Sequence, residues 1–237
     1  MKTLSITVVD ALTYTPSLNA LYKTIDVLKD KINITTVYWC SDIKFPGYLG
    51  NDINVKWVRI ERFKEYTNEY NFIALKRIPR IVNTDFNLTI HADGYAVNPD
   101  AWTDEFLEYD YIGAQWSFRF INKVGNGGFC LRSKKLYDAI NKLKLPHRIE
   151  QFPKEIRNNT NITIEALQDP GKLVIPEDNI ICLIYRQQLE HEYGIKFPPL
   201  YLADRFSIEF NTFSPWLGKS LGFHGKHGVA KYYGVEL

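Results

Sequence analysis

Cysteine is scarce in this chain, and its three copies, Cys40, Cys130 and Cys182, show neither C-x-x-C nor Cys/His spacing. That argues against a disulfide framework and fits a reducing compartment. Cys130 and Cys182 lie inside apolar runs and read as small buried hydrophobes. A charge excess of either sign is also missing. The 29 Lys and Arg against 27 Asp and Glu leave a net charge of only +2, which argues against a protein that lives on nucleic-acid backbones. Local basic clusters remain free to meet phosphates. No apolar run approaches the ~18 residues that span a bilayer. The apolar stretch within Met1–Asp10 is too short for a signal peptide and reads as a first strand. The expectation is a soluble, cytoplasmic protein. Internal repeats and low-complexity segments are absent.

What is present is an ample core, with 45% apolar residues in 237. Ser5–Asp10 is β-branched and ends on an acid, as a buried parallel strand does. Pro16-Ser17 opens a helix with Leu18, Leu21, Ile25 and Leu28 on one face. Ile34–Trp39, Val55–Ile60 and Leu88–His91 follow as strands, and Tyr70–Val82 reads as a helix kinked or shortened by Pro79. This alternation predicts an α/β fold with a parallel, doubly wound sheet. Further on, Tyr111–Ala114 reads as a strand and Val124–Leu131 as an apolar segment. Ser133–Leu143 reads as a helix capped by Ser133, Asn158–Asn161 as a polar loop, and Glu177–Tyr193 as a long helix started by Pro176. Ligands of open α/β sheets gather at the carboxyl ends of strands, where Asp10, Asp42 and Asp93 all fall.

Four short features carry chemistry. His91-Ala92-Asp93-Gly94 follows a strand, where a carboxylate before glycine suits a hard cation; a plain strand-ending turn reads equally from the same residues. Val124-Gly125-Asn126-Gly127-Gly128-Phe129 lets backbone approach a ligand, or forms a tight hairpin; it is not a P-loop. Pro176-Glu177-Asp178 offers a general base in Asp178, or acids that complement a helix dipole. Gly222-Phe223-His224-Gly225-Lys226-His227-Gly228 suits a loop closing on phosphate or metal, with one neutral imidazole completing a shell begun by Asp93, or a flexible basic tail.

In this order the four features, together with Phe106–Ala114, resemble the GT-A glycosyltransferase fold over roughly residues 4 to 228. The likeness is to small viral and bacterial domains, such as the N-terminal domain of a large chlorovirus glycosyltransferase. It implies a mixed, mainly parallel Rossmann-like sheet flanked by helices, with a smaller acceptor-side subregion. Residues 1–95 would form a nucleotide-binding half and 96–237 an acceptor-binding half of a single domain. It implies a UDP- or GDP-sugar donor, an oligosaccharide or glycoconjugate acceptor, and Mn2+ or Mg2+. Asp93 corresponds to the last acid of the family's D-x-D and His224 to its C-terminal metal or diphosphate ligand, with His227 as second choice. Asp178 corresponds to the base of inverting members. Gly127 and Gly128 would belong to the loop lining both substrates, with Glu177 expected beside them. By the same resemblance Val9, Asp10, Thr13 and Asp42 would approach the nucleotide base, and Lys76, Arg77 or Arg80 would reach ribose or diphosphate.

His91 stands where many relatives have the first acid. With Ala92 it is expected beside ribose rather than as a full ligand, which makes cation binding weak without nucleotide. The acceptor pocket is expected to draw on Trp116–Phe120 and Phe206–Trp216. Three rivals follow from the same residues: a retaining transferase, a binding module without catalysis, and a nucleotidyltransferase. The last is disfavoured because Asp10–Thr15 lacks a glycine- and basic-rich loop.

Overall fold

The computed structural model describes residues 2–64, 66–116, 124–157, 175–225 and 228–236. The Asn158–Asn161 loop, the aromatic stretch after Trp116, and His227 lie outside these residues.

Four apolar runs form the parallel heart of the fold. Strands β1 (Thr3–Val9), β2 (Asn33–Ser41), β3 (Asn54–Arg59) and β4 (Phe86–Ile90) all run the same way. Two later strands, β6 (Tyr111–Ile112) and β7 (Cys130–Ser133), add antiparallel pairings beside β4. The resulting order is β3-β2-β1-β4-β7-β6. The sheet is thus mixed and mainly parallel, and helices cover both faces. On one face α1 (Thr15–Leu28) buries Ala20, Leu21, Val27 and Leu28 against Leu4, Ile6 and Trp39. On the other, the helices around Tyr70–Ile78 and Leu136–Ile140 bury Tyr38, Cys40 and Cys130. Side chains buried this fully contribute about 1.5–3 kcal/mol each for the larger apolar residues.

Three expectations need correction. The helix predicted over Tyr70–Val82 begins earlier and is built from α2 (Tyr66–Phe72), a π turn (Ile73–Arg77) and α3 (Ile78–Ile81). The widened turn just ahead of Pro79 gives room for a ring that would clash with a normal helical carbonyl. The helix predicted over Glu177–Tyr193 is a short turn (Glu177–Asn179), a π turn (Ile180–Ile184) and a helix (Arg186–Tyr193), parted at Tyr185 with φ −102° and ψ 3°. Finally, the strand predicted at Tyr111–Ala114 stops at Ile112. Gly113 lies so close to the carbonyls of Gly125 and Asn126 that a methyl there would overlap them. Ser133 does cap the helix Lys134–Leu143, accepting a bond from the Leu136 amide at 3.0 Å.

A second, three-stranded sheet was not legible in the sequence, and it builds the site. It comprises β5 (Gly94–Ala96), β8 (Ser207–Ile208) and β9 (Gly222–His224), in the order β5-β9-β8.

Candidate active site

The chain reverses tightly after β4. The amide of His91 donates to the carbonyl of Gly94 at 2.9 Å, and the Gly94 amide returns a bond to His91 at 3.1 Å. This turn carries Ala92 and presents Asp93 at its tip. Strand β5 then pairs with β9 so that Gly94 stands opposite His224. On the other side of β9, Ser207 pairs with Gly222 and Ile208 with Phe223. The next residues on those strands, Glu209 and His224, therefore come side by side. Register alone brings distant parts of the chain to one place.

The result is a cluster in which His91, Asp93 and His224 each offer a ligand atom within 4.8 Å of the others. The Nε2 of His224 lies 3.8 Å from Oδ1 of Asp93. The Nδ1 of His224 faces Oε1 of Glu209 at 3.0 Å, while the Asn126 amide donates to Oε2 of Glu209 at 2.7 Å. The Nε2 of His91 meets the Tyr70 hydroxyl at 3.0 Å. Asn126 holds the left-handed conformation at φ 62°, tolerable for this residue type, and its side-chain oxygen accepts from the Gly128 amide at 3.2 Å. A methyl on Gly128 would overlap Nε2 of His224, and one on Gly94 would overlap its Cδ2. The imidazole sits in a cradle only glycine permits.

Electrostatics at this point favour positive charge. Burial opposes a proton on His224, but the hydrogen bond it donates to Glu209 and the charges of Glu209, Asp93 and Asp178 outweigh it and raise its pKa. Burial, and then the charge on His224, push His91 down to about 4, so its ring is neutral. A neutral imidazole, a second imidazole with one nitrogen held by a carboxylate, and a partly exposed carboxylate form a donor set that fits a divalent cation.

Asp178 stands on the other side of the glycine loop. Its Oδ2 accepts from the Gly127 amide at 3.1 Å and its Oδ1 from the Asn179 amide at 2.8 Å. Burial, then the neighbouring Glu177 charge, push its pKa up to about 7. Glu177, expected at the substrates, instead lies in a buried ion pair with Arg132 at 2.8 Å, and a methyl on Gly127 would overlap its carboxylate. Arg132 in turn packs over the Tyr111 ring, 5.3 Å from its centre.

The other expected donor contacts divide. At the end of β1 (Val9), Asp10 is buried, and its carboxylate accepts from the amides of Leu12, Thr13 and Tyr14 and the hydroxyls of Thr13 and Ser17, at 2.5–3.1 Å. Burial alone would raise its pKa, but these bonds lower it on balance. Asp10 thus shapes the loop after β1. Asp42 accepts from the Tyr14 hydroxyl at 2.8 Å at the end of β2. Lys76 donates to the carbonyl of Lys144 at 3.0 Å and Arg77 to that of Arg59 at 2.7 Å, while Arg80 is exposed. These hydrogen bonds tie Lys76 to the end of the helix Lys134–Leu143 and Arg77 to the end of β3. Of the expected acceptor region, Phe213 is 98% exposed and Trp116 is buried.

Sequence reasoning missed Glu209, Tyr70 and Arg132. Glu209 stands in a motif-free stretch, and its role depends on the pairing of β8 with β9, which no local pattern announces.

This architecture is similar to that of solved glycosyltransferases. The apo-form glycosyltransferase GlyE of Streptococcus pneumoniae TIGR4 aligns with a TM-score of 0.51 at 14% identity, covering 94% of this chain and 54% of that one. A glycosyltransferase involved in glycosylation of the major capsid of PBCV-1 aligns with a TM-score of 0.51 at 10% identity, covering 98% of each chain. The chain thus spans about half the length of the pneumococcal protein, and the fold is glycosyltransferase-like. A family model described as a protein of unknown function, DUF5672, matches residues 52–224, and the chain belongs to that family. No curated protein matches it.

Proposed function

We propose that this chain is a metal-assisted glycosyltransferase that moves a sugar from a nucleotide-sugar to a glycan hydroxyl with inversion. The observation that carries the reading is the His91–Asp93–His224 cluster at the end of β4, set in a glycosyltransferase-like sheet. The donor is a UDP- or GDP-sugar, held by the half built on residues 1–95; the acceptor is an oligosaccharide or glycoconjugate, received by residues 96–237. The cation is Mn2+ in preference to Mg2+, because two imidazole nitrogens suit poorly an ion that demands oxygen ligands. When bound, it supplies positive charge to the diphosphate of the departing nucleotide.

The protein's own groups do the rest. Asp178 accepts the proton of the attacking hydroxyl, and its raised pKa suits a base working near neutral pH. Gly127 and Gly128 keep the loop close to both Asp178 and His224 and so fix the spacing between base and cation site. Among the described residues no helix is long and apolar enough to cross a membrane. Three buried free thiols, Cys40, Cys130 and Cys182, suit the reducing cytoplasm.

The test is sugar transfer by Asp178→Asn. A loss of about 10²–10⁴-fold in turnover is expected for a missing general base, and near wild-type transfer removes Asp178 from that role. The anomeric configuration of the product, read by NMR, separates inversion from retention.

A further inference from the structure

We propose that Glu209 is a positioning residue that fixes His224 in the tautomer able to hold a cation. The inference rests on reading the His91–Asp93–His224 cluster as a cation site.

His224 has two partners at the same nitrogen. Its Nδ1 lies 3.0 Å from Oε1 of Glu209 and 2.9 Å from the amide nitrogen of Asn126. Two contacts compete for that nitrogen: the second N–H of the Asn126 amide can meet a lone pair there, and the Glu209 carboxylate can accept a proton from it. The Asn126 side chain cannot be turned over, because its oxygen already accepts from the Gly128 amide at 3.2 Å and its nitrogen already donates to Oε2 of Glu209 at 2.7 Å. If Nδ1 carried a lone pair, it would accept the second Asn126 N–H at 2.9 Å but face the Glu209 carboxylate at 3.0 Å, two acceptors in contact, and a neutral amide bond is weaker than the charge-assisted bond so forfeited. If Nδ1 carries the proton, it donates to Glu209 in a charge-assisted bond. Nε2 is then left with its lone pair, and this is the nitrogen that lies 3.8 Å from Oδ1 of Asp93.

Glu209 is well placed for this. Its side chain is 9% exposed, and it follows β8 directly, beside the strand that bears His224. Asn126 anchors the other carboxylate oxygen, so Glu209 cannot swing away without losing a buried bond. The backbone supports Asn126 in turn, since the Tyr111 hydroxyl donates to its carbonyl at 2.8 Å. A hydrogen-bonded chain thus runs from Tyr111 through Asn126 and Glu209 to the imidazole. Carboxylates that hold the far nitrogen of a metal-binding histidine set both its ring orientation and its basicity, and removing one costs about 10–100-fold in metal affinity.

The experiment pairs two readouts. Mn2+ alone is titrated into wild type, Glu209→Gln and Asp93→Asn, with free Mn2+ followed by electron paramagnetic resonance. The tautomer of His224 in the metal-free wild type is read from its imidazole 15N shifts at alkaline pH, where the ring is neutral. The expected result is an Nδ1–H tautomer in wild type and Mn2+ affinity about 10–100-fold weaker in Glu209→Gln, with thermal unfolding confirming a folded variant. Equal affinity in wild type and folded Glu209→Gln overturns the proposal. So does an Nε2–H tautomer in wild type, which needs no variant to fold. Failure of the wild type itself to bind Mn2+ overturns the cation site as well, and is distinguished from the other two outcomes by the titration alone.

Discussion

Gly94 and His224 face each other across an antiparallel pair of three-residue strands, and that single pairing carries the imidazole to within 3.8 Å of Asp93. The two residues lie 130 positions apart in the sequence. Their meeting turns a strand-end acid and a glycine-rich C-terminal segment into one cluster, and the account of function rests on it.

The fit around His224 predicts a sharp effect from one methyl group. Gly128→Ala places a carbon against Nε2 of His224, so the ring must leave its position or the loop must shift. We expect a stability loss of about 1–3 kcal/mol, as for other overpacked sites, together with weaker Mn2+ binding. Urea unfolding and a Mn2+ titration measure the two effects. Unchanged values in both contradict the cradle.

The pH profile follows from Asp178. A base works only when deprotonated, and burial together with Glu177 raises this carboxyl to about 7. Transfer should therefore rise with pH through that value and level off above it. kcat/KM measured from pH 5.5 to 9 checks this. A profile that stays flat through about pH 7 would show that Asp178 is not the group whose ionisation limits the reaction.

The buried Arg132–Glu177 pair predicts non-additive stability. Arg132→Met strands a carboxylate in the interior, which costs about 3–5 kcal/mol. The double variant Arg132→Met with Glu177→Gln should recover much of that loss, because no charge is left unpaired. Denaturant midpoints of wild type, Arg132→Met, Glu177→Gln and the double variant decide the matter. A double variant as unstable as the sum of both singles contradicts the pairing seen here.

Asp10 predicts an acid-sensitive loop. Its folded pKa is lowered from 3.8, so its hydrogen bonds stabilise the protein above the unfolded value and are lost as pH falls through the folded one. Asp10→Asn cannot accept all five bonds and should cost roughly 1–3 kcal/mol at pH 7. That deficit should shrink at pH 3. Thermal unfolding at both values tests it, and a deficit that is the same at both would contradict the role.

The sequence shows the parallel heart of the fold because buried strands advertise themselves as continuous apolar runs. Val8-Val9 and Leu88-Thr89-Ile90 read directly as such, and the amphipathic face of α1 repeats every three to four residues. The π turns and the break at Tyr185 left no trace in that periodicity, since hydrophobic side chains continue through them. Strands of two or three residues, such as Ser207–Ile208 and Gly222–His224, are too short to show alternation. The site divides the same way. Asp93 was legible as a strand-end acid and His224 as a histidine out of place in a core. His91 was expected at ribose, and only the turn to Gly94 brings it together with Asp93 and His224. Glu209 was invisible because its meaning lies in a long-range pairing. Glu177 and Asp10 were expected beside the substrates, and their burial and internal hydrogen bonds depend on long-range packing that the local pattern does not show.

The most direct test of the whole account is calorimetric titration of UDP- and GDP-sugars into the protein, with and without Mn2+, alongside Asp93→Asn. The account predicts binding of at least one nucleotide-sugar that strengthens with Mn2+ and loses that strengthening in the variant. Absence of Mn2+-dependent binding to every nucleotide-sugar would contradict it.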